Sequence, residues 1–262
     1  YYLMDLVDRI IYLENGEITG EYTPNQFRML PVAERQKMGL RALELTDVIP
    51  STKTPVPATQ ALSLQDVGLT YQKTPILEHL TLNASPGEVI GITGNNGAGK
   101  TTFCRAVCGL HKEHTGAFAW NGKPVNDQQR RQRTYLVMQD VNYELFADSV
   151  EAECSFGIKQ PDHELVETAM EDLGLLPYRT RHPYTLSGGQ KQRTAAAVSL
   201  VCGKELLIFD EPTSGLDFDS MCQLSKLITT LTQKGAIIFI VTHDFEFLCK
   251  TCTRVLYFNQ RR

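Results

Sequence analysis

A chain of 262 residues with 42% hydrophobic and 21% charged content carries enough apolar material for one sizeable core and some additions. Its formal net charge of −4 lacks the basic excess with which nucleic-acid binders neutralise phosphates, so no nucleic-acid partner is expected. No apolar run approaches the roughly 18 to 20 residues that span a bilayer, and Asp5 and Asp8 break the opening stretch, so a membrane role would come through a partner.

The chain opens on one half of a repeat. Leu3 to Asn15 (LMDLVDRIIYLEN) and Leu248 to Gln260 (LCKTCTRVLYFNQ) share a leucine and an arginine and align the apolar runs IIYL and VLYF. Each copy predicts a short helix feeding a strand. Residues 1–18 then read as the end of a preceding domain of the same kind; the alternative is that Leu3 to Leu13 adds a strand to this domain's own sheet. Residues 19–60 read as a linker, with Pro24, Pro31, Pro50, Pro55 and Pro57 around a polar, helix-like stretch from Val32 to Leu45.

From Ala61 to the end, residues 61–262, strands alternate with helices, the mark of a mostly parallel α/β sheet. Leu62 to Tyr71, and Ala117 to Trp120 before the Asn121-Gly122 turn, predict an antiparallel β subdomain at the front. Glu88 to Thr93, Tyr135 to Met138, Leu206 to Phe209 and Ile237 to Val241 predict core strands. Leu224, Leu227, Ile228 and Leu231 mark a helix face stopped by Gly235. Between Phe146 and His182 no long apolar strand occurs, and Glu164 to Leu173 is amphipathic up to Gly174, so residues 145–185 predict an inserted helical subdomain. The seven cysteines are odd in number and scattered, which fits reduced thiols. Cys249 and Cys252 have no second pair at ligand spacing and read as helix packing.

Gly94-Asn95-Asn96-Gly97-Ala98-Gly99-Lys100-Thr101 follows the apolar strand Val89-Ile90-Gly91-Ile92 and satisfies the phosphate-loop pattern. Its glycines let backbone N–H groups face phosphate oxygens, the following helix aims its positive end there, and Lys100 adds a full charge. Thr101 supplies a hydroxyl for Mg2+, and Thr102 extends the nucleotide-binding set. Leu206 to Glu211 is an apolar strand ending in two carboxylates, at the strand edge where ligand sites form in parallel sheets. Asp210 is expected to hold Mg2+, and Glu211 to polarise the attacking water.

Leu186-Ser187-Gly188-Gly189-Gln190, followed by Lys191-Gln192-Arg193 and the apolar stretch Thr194 to Val201, resembles the signature of the ABC transporter ATP-binding family. The order of motifs from Ala61 onward agrees with that family. The resemblance implies a P-loop NTPase, RecA-like α/β fold and an ATPase that uses ATP and Mg2+. Ser187 and Gly189 then complete the nucleotide pocket of a facing cassette. Tyr71 resembles the aromatic that stacks on adenine, and Gln139 the glutamine that reaches Mg2+ and water. Ser214-Gly215-Leu216-Asp217 resembles the loop through which facing cassettes touch, and His243 the switch histidine at the γ-phosphate. Lys100, Gln139, Glu211 and His243 form the implied catalytic set.

Gln139 to Phe146, Ser149-Val150 and Phe156-Gly157 are similar to the energy-coupling-factor importers of vitamins and transition-metal ions, in which glutamine is usual where this chain has Glu144. That likeness implies a transmembrane coupling subunit and a substrate-binding membrane subunit as partners, at the cytoplasmic face of the cell membrane. A tandem cassette, which the repeat suggests, is also a known arrangement in that group, and residues 1–18 are then expected to be the C-terminal remnant of a preceding cassette. Phe146, Val150 and Phe156 are expected to form an exposed apolar partner patch. A soluble tandem ABC protein acting on ribosomes or nucleic acid would want a long basic arm between cassettes, which residues 19–60 lack. A small-molecule kinase would not explain Leu186 to Gln190.

Overall fold

The computed structural model describes residues 4–48 and 61–259. β1 (Ile10–Glu14) and β2 (Glu17–Tyr22) make a hairpin whose turn, Asn15-Gly16, has positive φ at both residues. The hairpin joins neither of the other sheets, so the alternative of an added strand in the core sheet is not what forms. Met4 to Leu6 form a turn instead of the predicted helix. Leu6 is exposed and Asp5 pairs with Arg28, so no face is buried to hold so short a helix. β2 runs across the expected boundary between residues 18 and 19. Two short helices follow within the expected linker, α1 (Pro24–Met29), held by a capping box between Thr23 and Gln26, and α2 (Val32–Lys37). The last part of that linker, residues 49–60, lies outside the described residues.

β3 (Leu62–Tyr71) and β4 (Thr74–Ala84) lead to β5 (Val89–Gly94) and α3 (Lys100–Val107). β6 (Ala117–Trp120), β7 (Lys123–Pro124), α4 (Asp127–Arg133) and β8 (Thr134–Val137) come next. The helical insertion holds α5 (Val150–Cys154) and α6 (His163–Asp172) and leads into α7 (Gly188–Val201). β9 (Leu206–Asp210), α8 (Phe218–Gln233), β10 (Ile237–Val241), α9 (Phe245–Thr251) and β11 (Arg254–Phe258) close the fold.

The core sheet is parallel throughout, in the order β11-β5-β10-β9-β8. Its inner strands β5, β10 and β9 are buried on both faces, which is why they read as continuous apolar runs instead of alternating ones. Val89, Leu207, Phe209, Ile238 and Ile240 face α7, α8 and the helical insertion. Ile90, Ile92, Leu206, Ile208, Phe239 and Val241 face α3 and the antiparallel sheet β4-β3-β6-β7. α7 is buried on every side from Thr194 to Val201, so it shows no apolar stripe. The arrangement matches the predicted α/β architecture with an antiparallel subdomain and a helical insertion. β4 was not delimited in the sequence, and among the described residues no helix is long and apolar enough to cross a membrane.

Val150 corrects one expectation. It is fully buried, not part of an exposed patch, because it opens α5 and shares that helix's inner face with Cys154. Phe146 and Phe156 are exposed, at 65% and 58%, with ring centroids 6.3 Å apart.

Candidate nucleotide site

The end of β5 turns through residues 94–99 into α3, and two glycines make the turn possible. Gly94 has φ 143°, and a Cβ there would lie 2.1 Å from the Phe258 carbonyl oxygen. Gly99 has φ 90°, and a Cβ there would lie 2.5 Å from Ile76 Cγ2. The loop therefore packs against β11 on one side and β4 on the other. Lys100, on the first turn of α3, folds back over it, donating to the carbonyls of Gly94 at 2.6 Å and Asn95 at 3.1 Å. Its ammonium also lies 3.3 Å from His243 Nε2.

β9 and β10 are adjacent and parallel, so their ends deliver Asp210, Glu211, Thr242 and His243 to one edge. Thr101 Oγ1 lies 3.4 Å from Asp210 Oδ2. Burial first, and then the neighbouring Glu211 carboxylate, raise the Asp210 pKa above the usual carboxylate value. Glu211 has φ 50°, a left-handed conformation costly for any residue that carries a Cβ and found most often at functional sites. Two contacts hold it there: its N–H donates to the Val241 carbonyl at 2.8 Å, and its Oε2 accepts from Thr242 Oγ1 at 3.1 Å. His243 Nε2 lies 3.7 Å from Glu211 Oε1.

These groups share one cleft of about 620 Å3, lined by Asn96, Gly97, Gly99, Lys100, Thr101, Thr102, Gln139, Asp210, Glu211 and His243, together with Ile76 and Val241. Ile76 and Thr242 were not singled out in the sequence. A threonine directly before His243 at the end of a wholly apolar strand is the signal that could have found Thr242. Tyr71, Ser187 and Gly189 are not among the residues lining the cleft. Tyr71 ends β3 with its ring exposed. Ser187 caps α7, accepting from the Gln190 N–H at 3.4 Å, while the Gln190 side chain accepts from the Ser187 N–H at 2.9 Å. Ser187 and Gly188 are exposed, and a Cβ at Gly188 would meet nothing within 4 Å.

Oxygen donors suited to a hard divalent cation are present in Thr101, Gln139 and Asp210, and the adjacent Asp210 and Glu211 carboxylates concentrate negative charge that such a cation relieves. Among the described residues no cluster of three or more histidines, cysteines or carboxylates could hold a metal by itself. That fits a cation whose remaining ligands come from nucleotide phosphates and water.

Residues 77–214 match the protein-family model described as ABC transporter. A putative ABC transporter ATP-binding protein of Treponema denticola is 42% identical over 98% of this chain and 54% of its own length. One from Synechocystis is 32% identical over 84% of this chain and 78% of its own. Among solved structures, cbiO1 from Clostridium perfringens, part of the ABC transporter complex cbiONQ, superimposes with a TM-score of 0.67 at 31% identity, covering 76% of this chain and 84% of that one. The chain spans about half the length of the first curated relatives it matches.

Proposed function

This chain belongs to the ABC transporter family of ATP-binding proteins, an ATPase family, and we propose that it is one ATP-binding and ATP-hydrolysing cassette of an energy-coupling-factor type importer. The observation that carries the ATPase half of this reading is the single cleft in which Lys100, the Thr101–Asp210 pair and the Glu211–His243 pair converge. The phosphate loop and the start of α3 bind the phosphates, with Lys100 exchanging the carbonyls of Gly94 and Asn95 for phosphate oxygens. Thr101, Gln139 and Asp210 hold Mg2+, which supplies charge neutralisation on the phosphates. Glu211 orients and deprotonates the attacking water, and His243 stands on the γ-phosphate side.

Ser187 and the N–H groups of Gly188 and Gly189 serve the nucleotide of a facing cassette. Their exposure, and the lack of any neighbour in this chain that requires glycine at Gly188, support that role. Tyr71 is proposed to stack on adenine, its exposed ring being available to do so. Residues 1–18 are proposed as the remnant of a preceding cassette. The importer reading rests on the likeness to cbiO1 and on the exposed pair Phe146 and Phe156 near Gln139, which suits a transmembrane coupling subunit at the cytoplasmic face of the membrane. The test is affinity purification of the tagged protein from solubilised membranes. Recovery of a polytopic subunit together with a small substrate-binding membrane subunit supports the reading; recovery with ribosomes or nucleic acid in a membrane-free fraction overturns it.

A further inference from the structure

Residues 39–44 run from the end of α2 back across the nucleotide-binding core. The Gly39 carbonyl accepts from the Phe218 N–H at 3.0 Å, and Phe218 opens α8 directly behind the loop Ser214 to Asp217. Arg41 Nη1 lies 2.8 Å from Asp244 Oδ2 and 3.8 Å from Glu246, and also against Met221 Sδ. The Ala42 N–H donates to the buried Glu246 carboxylate at 3.1 Å. A short segment from the expected linker is thus pinned to the first turns of α8 and α9. Beside it lies a cleft of about 660 Å3 lined by Arg41, Leu43, Val48, Leu216, His243 and Phe245.

Asp244 is where this segment meets the chemistry. Its Oδ1 caps α9 by accepting from the Phe247 N–H at 3.0 Å, while its Oδ2 receives Arg41. Its own N–H donates to Thr242 Oγ1 at 3.1 Å, and that hydroxyl donates to Glu211 Oε2 at 3.1 Å. His243, between Thr242 and Asp244, is half exposed at 51%. Its backbone is therefore held from one side by Glu211, through Thr242, and from the other by Arg41, through Asp244.

We propose that Arg41 is a positioning residue for ATP hydrolysis, and that residues 39–44 form a strap that keeps the His243 loop in register with the nucleotide cleft. The inference rests on the assignment of His243 to the γ-phosphate side. Arg41 and Asp244 are 26% and 20% exposed, so their attraction is less screened than that of a surface pair. Removing the cation leaves Asp244 free to relax away from the strap and to carry His243 with it. Since a misplacement of about 1 Å at a reacting centre costs up to roughly 100-fold in rate, a partial shift is worth about tenfold. ATP binding, set by the phosphate loop on the other side of the cleft, is unaffected.

Steady-state turnover, and the affinity and stoichiometry of a fluorescent ATP analogue, are measured for the parent protein, Arg41→Gln, Arg41→Lys, Asp244→Asn and His243→Ala. Arg41→Gln, which removes the charge and keeps a polar side chain, and Asp244→Asn, which keeps the helix cap, are expected to lower kcat about tenfold with nucleotide affinity within about twofold, and Arg41→Lys to recover most of the loss. Parental kcat in Arg41→Gln overturns the proposal. So does a fall in rate matched by a fall in binding stoichiometry, which is loss of folded protein, or an Arg41→Lys variant as slow as Arg41→Gln. If Arg41→Gln does not fold, the Asp244→Asn rate decides. A parental rate in His243→Ala instead removes the assignment of His243, whereas a dead His243→Ala beside a parental Arg41→Gln removes only the strap.

Discussion

Lys100 and Ser187 each stand at the start of a helix, α3 and α7, and both starts point unpaired N–H groups outward where an anion would be stabilised. Their surroundings differ. Around Lys100 the chain brings a cation, two carboxylates, a glutamine and a histidine into one cleft. Around Ser187 it brings a capping box, and the serine is exposed and the glycine after it faces open space. One chain thus holds a half-site furnished for chemistry and another furnished only for contact. A site of the second kind is useful when it closes over a nucleotide held by the first kind in another cassette.

The largest effects lie on the furnished side. Glu211→Gln keeps the shape of the cleft and removes the proposed base, so turnover is expected to fall about 100- to 10,000-fold while ATP-analogue affinity stays within a few-fold. Lys100→Ala is expected to weaken the affinity itself. Near-parental hydrolysis by Glu211→Gln would remove the distinction between the two half-sites, because the furnished one would then lack its reactive group.

Ser187→Arg probes the other side. The exposed position accepts a long side chain at the cost of one helix cap, so nucleotide binding is expected to persist. Turnover is expected to fall roughly 100- to 1,000-fold, the usual worth of one donor to transition-state charge. Specific activity of the isolated chain is expected to climb with protein concentration and with addition of a separately purified facing cassette. Activity per molecule that is high and constant in a monomeric sample breaks the two-cassette mechanism.

A smaller effect is expected at the exposed aromatic pair. Phe146→Asp places a charge where Phe146 and Phe156 present apolar surface, and co-purifying membrane subunits are expected to drop at least about tenfold while ATP binding is retained. Unchanged recovery of membrane subunits moves the coupling surface to another face.

The furnished half-site was legible in the sequence because its parts are local: a glycine loop after a strand, two carboxylates at a strand end, and a histidine after Ile237 to Val241. Parallel pairing of β9 with β10 then needs no long-range information beyond continuous apolar runs. What was not legible depends on contacts between distant residues. The docking of Arg41 on Asp244 leaves no periodic trace, and prolines around a polar stretch read as linker whether or not the stretch docks. Val150 looked like Phe146 and Phe156 as an apolar residue in a loop-rich stretch, and only the direction of α5 decides that it is buried. β4 was missed because Glu78 and His79 interrupt its alternation, and His79 has positive φ.

The smallest expected effect concerns Glu144, which stands between the two regions, where glutamine is usual in the importers that the sequence resembles. Its Oε1 accepts the N–H of Met138, the residue before Gln139, while its Oε2 is buried without a hydrogen-bond partner. Burial, with the Glu153 carboxylate adding repulsion and the Met138 N–H opposing, raises its pKa from 4.5 to about 8. A protonated carboxyl there resembles the neutral amide it replaces. Because the folded-state value lies above the unfolded one, the folded chain retains a proton that the unfolded chain has lost. The contribution of Glu144 to stability therefore declines as pH rises from about 4.5 to about 8 and levels off above that. Glu144→Gln carries no such proton. The thermal midpoint of the parent is thus expected to fall relative to that of Glu144→Gln between pH 5 and pH 9, by at least a few degrees, since about 1 kcal/mol corresponds to roughly 2 to 4 °C in a domain of this size. Melting curves of the two proteins that stay parallel across that range would mean that the carboxyl ionises without cost, and that the strand end before Gln139 does not depend on its neutrality.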